Sequence, residues 1–234
     1  MPLKIGSVRG NFAAVKFGII GLFLLFQVFL IFIKKHEALD IDSYPNIRPT
    51  VNIYGYHKIG QTFVAERDNL CRIDLKLGTH GRENNKAVLF QLWQQTPERT
   101  LVAQKEFNAS AVKNNLYHPI RFPPVGGSRE REFYFFLYSP ESTPDDSICA
   151  WMNGKNIYDG GHMILNGRLR LGDLVFRVYS RRPVYTEIGR IVRNYSGVFG
   201  NKYVLIFVML LFVCVQVLVL NKLLESMHKI LIHS

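Results

Sequence analysis

Residues 71–77, Cys-Arg-Ile-Asp-Leu-Lys-Leu, alternate apolar with charged at almost every step. Successive side chains of a strand point to opposite faces. This stretch therefore lays Cys71, Ile73, Leu75 and Leu77 on one side and Arg72, Asp74 and Lys76 on the other. It reads as a half-buried strand, and the pattern recurs on both sides of it. Upstream, VNIYGY within residues 50–60 reads as an edge strand and residues 62–65 as a short β-prone run. Downstream, Val88, Phe90 and Leu92 alternate with Leu89, Gln91 and Trp93. Residues 101–107 and 116–122 follow, the second stopped by Pro123-Pro124. Residues 131–139 are apolar on both faces, as a central strand is. Residues 147–152 and 173–180 complete the series. Asn166-Gly167, between HMIL and RLRL, is the two-residue signal for a type I′ hairpin. Eight or nine short strands, with no amphipathic helix of useful length between residues 60 and 180, predict an all-β unit. We expect an antiparallel sandwich of jelly-roll type, because a parallel sheet would need crossover helices.

Two uncharged apolar stretches flank this unit. Phe17–Ile33 is 17 residues long. As a helix it would span about 25 Å, near the ~30 Å hydrocarbon core of a bilayer. Tyr203–Leu220 is its counterpart. The expected organisation is a leader at 1–16, a transmembrane helix at 17–33, and a water-facing domain at 34–202 with its core about 51–182. A second transmembrane helix at 203–220 and an amphipathic tail at 221–234 follow. Lys34, Lys35, His36 and Glu37 follow the first helix where a signal peptide would carry a small-residue cleavage site, so it reads as an uncleaved anchor. Residues 36–48 read as a polar exit linker. Residues 183–202 read as a juxtamembrane connector, with Tyr195 and Tyr203 at headgroup level. Lys4, Arg9 and Lys16 precede the first helix and favour an inside N-terminus, which puts both termini in the cytoplasm and the domain outside. The tail alternates Leu223, Leu224, Met227, Ile230 and Leu231 with Lys222, Glu225, His228 and Lys229. It would lie on the inner surface or continue the helix.

The net charge of +11 is spread along the chain: residues 34–202 hold 24 Lys and Arg against 17 Asp and Glu. Dispersed charge beside two apolar helices argues for anionic headgroups as the partner and against nucleic acid. The seven histidines are scattered without metal-site spacing. No catalytic or nucleotide-binding motif is present. Asp145-Asp146 is the carboxylate pair that a calcium ion would use; the competing reading is a solvated turn. Cys71 and Cys149 would form either a disulfide, which an outside compartment permits, or two buried thiols. Cys214 is an apolar filler in the second helix. Gln27 and Gln216 are the polar exceptions in the helices. With both spans ending at their outer boundaries, the two are about 10 Å out of level, so each would seek another partner within a larger complex. Asn108-Ala-Ser110 and Asn194-Tyr-Ser196 match the glycosylation sequon.

The most suggestive set is aromatic: Trp93, Trp151, Tyr134, Tyr138 and Tyr158. Aromatic faces beside amides and carboxylates suit sugar rings, whose C–H faces are apolar and whose hydroxyls need directed partners. The competing reading makes these residues sandwich core. The stretch 151–161, WMNGKNIYDGG, combines aromatics with a Gly/Asn loop. It nominates Trp151, Asn153, Asn156, Tyr158 and Asp159 as ligand-binding residues.

The stretch 60–85, beginning GQTFVAERDNLCRIDL, resembles the extracytoplasmic β-sandwich domain of bacterial envelope membrane proteins. VLFQL, REFYFFLYSPES, the GG…NG step at 160–167 and GDLVFRVY at 172–179 carry the same resemblance. Such domains occur on multi-spanning proteins that handle surface glycans. The resemblance implies an extracytoplasmic sandwich with a role in surface-glycan assembly. The two-helix frame departs from it: no polytopic transferase is attached, which suggests an accessory subunit. Chain-length regulators of polysaccharide export share the helix placement, but their middle part is rich in long helices. Three functions follow as expectations. The first is a non-enzymatic accessory subunit that binds a glycan or lipid-linked glycan, or positions a polytopic membrane partner. The second is a structural scaffold, including a homo-oligomer. The third is an enzyme using Asp145, Asp159 and Asp173 as acid and base.

Overall fold

A computed structural model describes residues 5–44, 47–96, 98–187 and 202–233. The chain divides into two compact units, Met1–His36 with Pro183–Ser234, and Glu37–Arg182. Most of the expected connector 183–202, with Tyr195, the second sequon and Ile188, Ile191 and Val192, lies outside the described residues.

In the first unit, α1 (Ile5–Val28) runs on through a π-helical turn, Phe29–Ile33. α2 spans Lys202–His233. Phe12 stacks on His228 with ring centroids 3.6 Å apart. Lys16 donates to Glu225 Oε1 at 2.7 Å. Rising numbers in α1 thus meet falling numbers in α2, and the helices are antiparallel. Segments Phe12–Ile33 and Ile206–Ile230 are long and apolar enough to cross a membrane. Both helices outrun the expected boundaries. Residues from Ile5 onward are helical rather than a separate leader, and the tail continues α2. No proline interrupts either run.

The second unit is two antiparallel sheets. In the first, β1 (Lys35–Asp42), β13 (Phe176–Pro183), β4 (Leu70–Gly78), β9 (Ile148–Asn153) and β12 (Asp173–Leu174) are neighbours in that order. β2 (Ile47–Ile53) adds to β9, and β7 (Leu116–Val125) adds to β4. In the second, the order is β11 (Arg168–Arg170), β10 (Met163–Leu165), β3 (Gly55–Val64), β8 (Glu132–Ser139), β5 (Ala87–Gln94) and β6 (Thr100–Asn108). The central strands send alternate residues into one shared core: Ile73, Leu75 and Leu77 from β4, Val88, Phe90 and Leu92 from β5, Phe133, Phe135 and Leu137 from β8. Phe176 of the first sheet sits 6.1 Å from Phe63 and 5.6 Å from Phe135 of the second, so the sheets face each other across aromatic rings. Burying each such side chain contributes about 1.5–3 kcal/mol.

The alternation has one slip. Register against β13 shifts between Leu70 and Arg72, so Cys71 is the extra residue of a bulge and Leu70 takes the core position; against β7 the surplus residues, 122–124, lie on β7. Gln61, fully buried on the inner face of β3, is answered across the gap. Its Nε2 donates to Asp173 Oδ1 at 2.9 Å, and its Oε1 accepts from Leu174 N at 3.0 Å.

The expected polar linker 36–48 is largely strand. β1 buries Ala38 and Ile41 and joins the edge beside β13. Its charges are consumed in ion pairs: Arg182 with Asp40 at 3.1 Å and Arg177 with Asp42 at 3.1 Å. The chain therefore enters and leaves the β unit on adjacent strands. VNIYGY breaks into β2 and β3 at Gly55, which holds φ +55°. Asn166 and Gly167 hold φ 52° and 75°, as a type I′ turn requires.

Candidate functional site

β8 is apolar on both faces, and its two faces do different things. Phe133, Phe135 and Leu137 enter the core. Tyr134, Phe136 and Tyr138 line the outer face of the second sheet, where ring centroids are 5.4 Å and 5.9 Å apart along the strand. Strand register builds cross-rows on this ladder: Trp93, Tyr134 and Thr62 in one row, Gln91, Phe136, Gly60 and Ile164 in the next, Leu89 and Tyr138 in the third. Gly60 makes the packing possible, because a Cβ there would lie 2.8 Å from both Phe136 Cβ and Tyr134 Cε2. Phe136 is 7% exposed and forms the floor; Trp93, Tyr134 and Tyr138 are half-buried around it. The Lys58 ammonium stands 4.9 Å and 5.3 Å from the Phe136 and Tyr138 centroids.

Amides run along the ladder. Trp93 Nε1 donates to Gln91 Oε1 at 3.1 Å, and Gln91 Nε2 donates to Gln104 Oε1 at 3.0 Å. Burial pushes the Tyr134 hydroxyl up to about 12. Neither the Tyr134 nor the Tyr138 hydroxyl has a hydrogen-bond partner among the described residues. The surface thus offers ring faces, two phenol hydroxyls, the Gln91 and Gln104 amides and the Lys58 ammonium. It can bind a ligand with apolar faces and hydroxyl edges; it carries no nucleophile–base pair.

The stretch favoured from sequence does not assemble into one site. Trp151 lies on β9, not in a loop. Its Nε1 donates to Asn115 Oδ1 at 3.0 Å, and Lys76 stands 5.4 Å from its ring. Asn153 is buried, and its Oδ1 accepts from Lys155 N at 3.0 Å. Tyr158 turns inward, edge-on to Phe176 at 5.6 Å, with its hydroxyl donating to Val64 O and accepting from Val64 N. Asn156 and Asp159 are exposed on the same loop. The loop is a strap closing the core. Its anchor is Asp173, whose Oδ2 accepts from Ile157 N at 2.7 Å and Tyr158 N at 2.9 Å. Asp173 is thus fully buried and holds the strap, while Asp145 and Asp159 are exposed. Asp146 closes its own turn by accepting from Thr143 N at 2.6 Å. No group of three or more His, Cys, Asp or Glu side chains gathers as a metal site among the described residues.

Cys71 and Cys149 are buried free thiols, and the disulfide is not formed. Cys149 pairs with Gly78, seven residues along β4 from Cys71. That is about 23 Å at ~3.3 Å per residue, far beyond disulfide reach. Burial raises both thiols, Cys71 to about 11. Cys214 is a free, exposed thiol on α2. In the helices, the contacts of Phe12 with His228 and Lys16 with Glu225 set a register that puts Gln27 and Gln216 within two or three residues of level. The offset is about 4 Å instead of 10 Å, because the helices pair from their other ends. Gln216 Oε1 is buried without a hydrogen-bond partner among the described residues.

The outer face of the first sheet is unlike the ladder. Arg72 holds Asp74 through two bonds, at 2.5 Å and 2.6 Å, and Glu37 through a third at 2.8 Å. Arg121 also donates to Glu37 at 2.8 Å. Arg72 lies 4.3 Å from the Tyr179 centroid and Arg177 4.0 Å from that of Tyr117. The Arg121 guanidinium, and then Arg72, hold the Glu37 carboxyl below the usual carboxylate range.

Sequence reasoning had Trp93, Tyr134 and Tyr138 among its aromatics but did not see that they share one surface with Gln91 and Phe136. The signal was available: a strand apolar on both faces, Phe133 to Tyr138, needs a second cover, and here aromatic neighbours provide most of it. No family model matches the chain, and no curated protein matches its sequence.

Proposed function

We propose that this chain is a membrane-anchored, non-enzymatic accessory subunit that binds a glycan on the outer face of its second sheet. In this reading the two apolar helices span the plasma membrane, both termini are cytoplasmic, and a jelly-roll-type sandwich faces outward. The ligand is a surface or lipid-linked glycan, and the partner is a polytopic membrane protein of polysaccharide assembly. The single observation that carries the reading is the ladder of Tyr134, Phe136 and Tyr138 flanked by Trp93, Gln91 and Gln104. Ring faces beside phenol hydroxyls and a chain of amides match a sugar's apolar faces and polar edges.

The test uses the full-length protein in lipid nanodiscs. Defined cell-envelope oligosaccharides are added while tryptophan emission is followed. The expected result is saturable quenching or shift, lost in the Tyr134→Ala and Tyr138→Ala variants with unfolding unchanged. Absence of any saturable glycan response, or equal binding by the variants, overturns the proposal and favours a protein–protein scaffold.

A further inference from the structure

Among the described residues, β2 is bonded only to β9 and β11 only to β10, so each ends its sheet there. Between these edges lies a cleft of about 320 Å³. Its floor is apolar: Ile59, Met152, Met163 and Leu165. Its rim carries Arg48 and Arg170, and no acidic residue lines it. The Arg48 guanidinium lies over Gly154, with Nη2 3.2 Å from where a Cβ would be. Arg72, Arg121, Arg177 and Arg182 are each held by a carboxylate, whereas Arg48 and Arg170 have no ion-pair partner among the described residues. Leu171, next to Arg170, is 78% exposed at the same mouth.

The geometry points to a binding site for a single-chain anionic amphiphile, its phosphate held by Arg48 and Arg170 and its chain laid along Ile59, Met152, Met163 and Leu165. Guanidinium pairs match phosphate oxygens through parallel N–H bonds. Flexible thioether side chains adapt to an unbranched chain better than β-branched ones do. The size falls in the range of small-molecule pockets, ~300–1,000 Å³. This site is separate from the aromatic ladder, so it stands or falls independently of the glycan reading.

The test is photolabelling of the full-length protein in phosphatidylcholine nanodiscs with dodecyl phosphate carrying a terminal diazirine. The expected label falls on peptides containing Met152 and Met163. Unlabelled dodecyl phosphate competes, whereas dodecanol and inorganic phosphate do not. The Arg48→Glu/Arg170→Glu variant, changed only at exposed positions, loses labelling at least tenfold. Leu165→Trp, which fills the cleft, loses it too; should that variant unfold, the charge-reversal pair decides. Labelling confined to residues 12–33 and 206–230, labelling indifferent to charge reversal, or competition by inorganic phosphate alone overturns the proposal. So does the finding that a partner protein's strand occupies the cleft in native membranes.

Discussion

The two sheets share one core but present opposite outer faces. On the first sheet, Arg72, Asp74, Glu37, Arg121, Arg177 and Asp42 satisfy one another, with Tyr179 and Tyr117 stacked beneath guanidinium groups. On the second, rings and amides dominate, and Lys58 is the cation placed over them. A face whose charges are mutually paired has spent those charges on the fold, although the Tyr117 hydroxyl there is buried without a hydrogen-bond partner among the described residues. The second face instead leaves ring faces and the Tyr134 and Tyr138 hydroxyls for a ligand. Aromatic content alone does not separate the two faces, because tyrosines occur on both.

The sharpest way to break this comparison is to remove one charge from the closed face. Asp74→Ala leaves the Arg72 fork facing Glu37 alone, with Asp74 itself nearly buried. Losing one partner of such a pair costs about 3 kcal/mol or more, and denaturant unfolding of the full-length protein measures it. Lys58→Ala on the open face, where only a cation–ring contact is lost, costs at most about 1 kcal/mol. Equal losses would erase the distinction.

Gly60→Val tests the open face from beneath. The new side chain meets Phe136 Cβ, Tyr134 and the Phe135 carbonyl. Overpacking of this kind costs about 1–3 kcal/mol, and glycan binding should fall with it. Gln91→Ala is gentler. Stability should move by about 0.5 kcal/mol or less, while glycan affinity, read by titration in nanodiscs, should drop about tenfold.

The smallest effect is in pH. Glu37 is held below the ordinary carboxylate range by Arg121 and Arg72. Its contribution is therefore fully present above the unfolded pKa, near ~4.3. It is lost as pH falls through the lower folded value. Glu37→Gln should therefore lower stability slightly at neutral pH and converge on the parent protein in acid, so that the acid side of the stability–pH curve flattens. An unchanged acid side would mean that the pairing on the first sheet does not act as described.

Much of the fold was legible because strands with one buried face write their period into the sequence. β4, β5, β8 and the Asn166-Gly167 hairpin follow from alternation and turn chemistry. β1 was missed because Lys35–Asp42 carries four charged residues, and strand pairing with β13, not apolar periodicity, decides its state. The Cys71 bulge does not show in the sequence because alternation continues through it unbroken; register against β13 reveals the slip. The site was harder. Tyr158 reads as a loop aromatic, yet Asp173 draws its backbone inward from fifteen residues away. Trp151 looks exposed by composition and is held by Asn115 across the fold. Such partners are remote in sequence, so no local window shows them.

The pairing of β1 with β13 also makes the two attachments of the β unit mechanically unequal to different loads. A pull that drags both attachments the same way is carried by the unit as a whole. A pull that spreads them apart acts on one ladder only, and opens it in sequence from the Arg182–Asp40 pair toward the bond from Ser43 N to Phe176 O. Peeling stops once β1 is free, because β13 is still zipped to β4. What detaches is a single strap held by Ala38 and Ile41 and by the ion pairs of Glu37, Asp40 and Asp42, while the aromatic core stays shut. The domain thus has a built-in point of yield at its covalent root, set by one strand's apolar and ionic contacts.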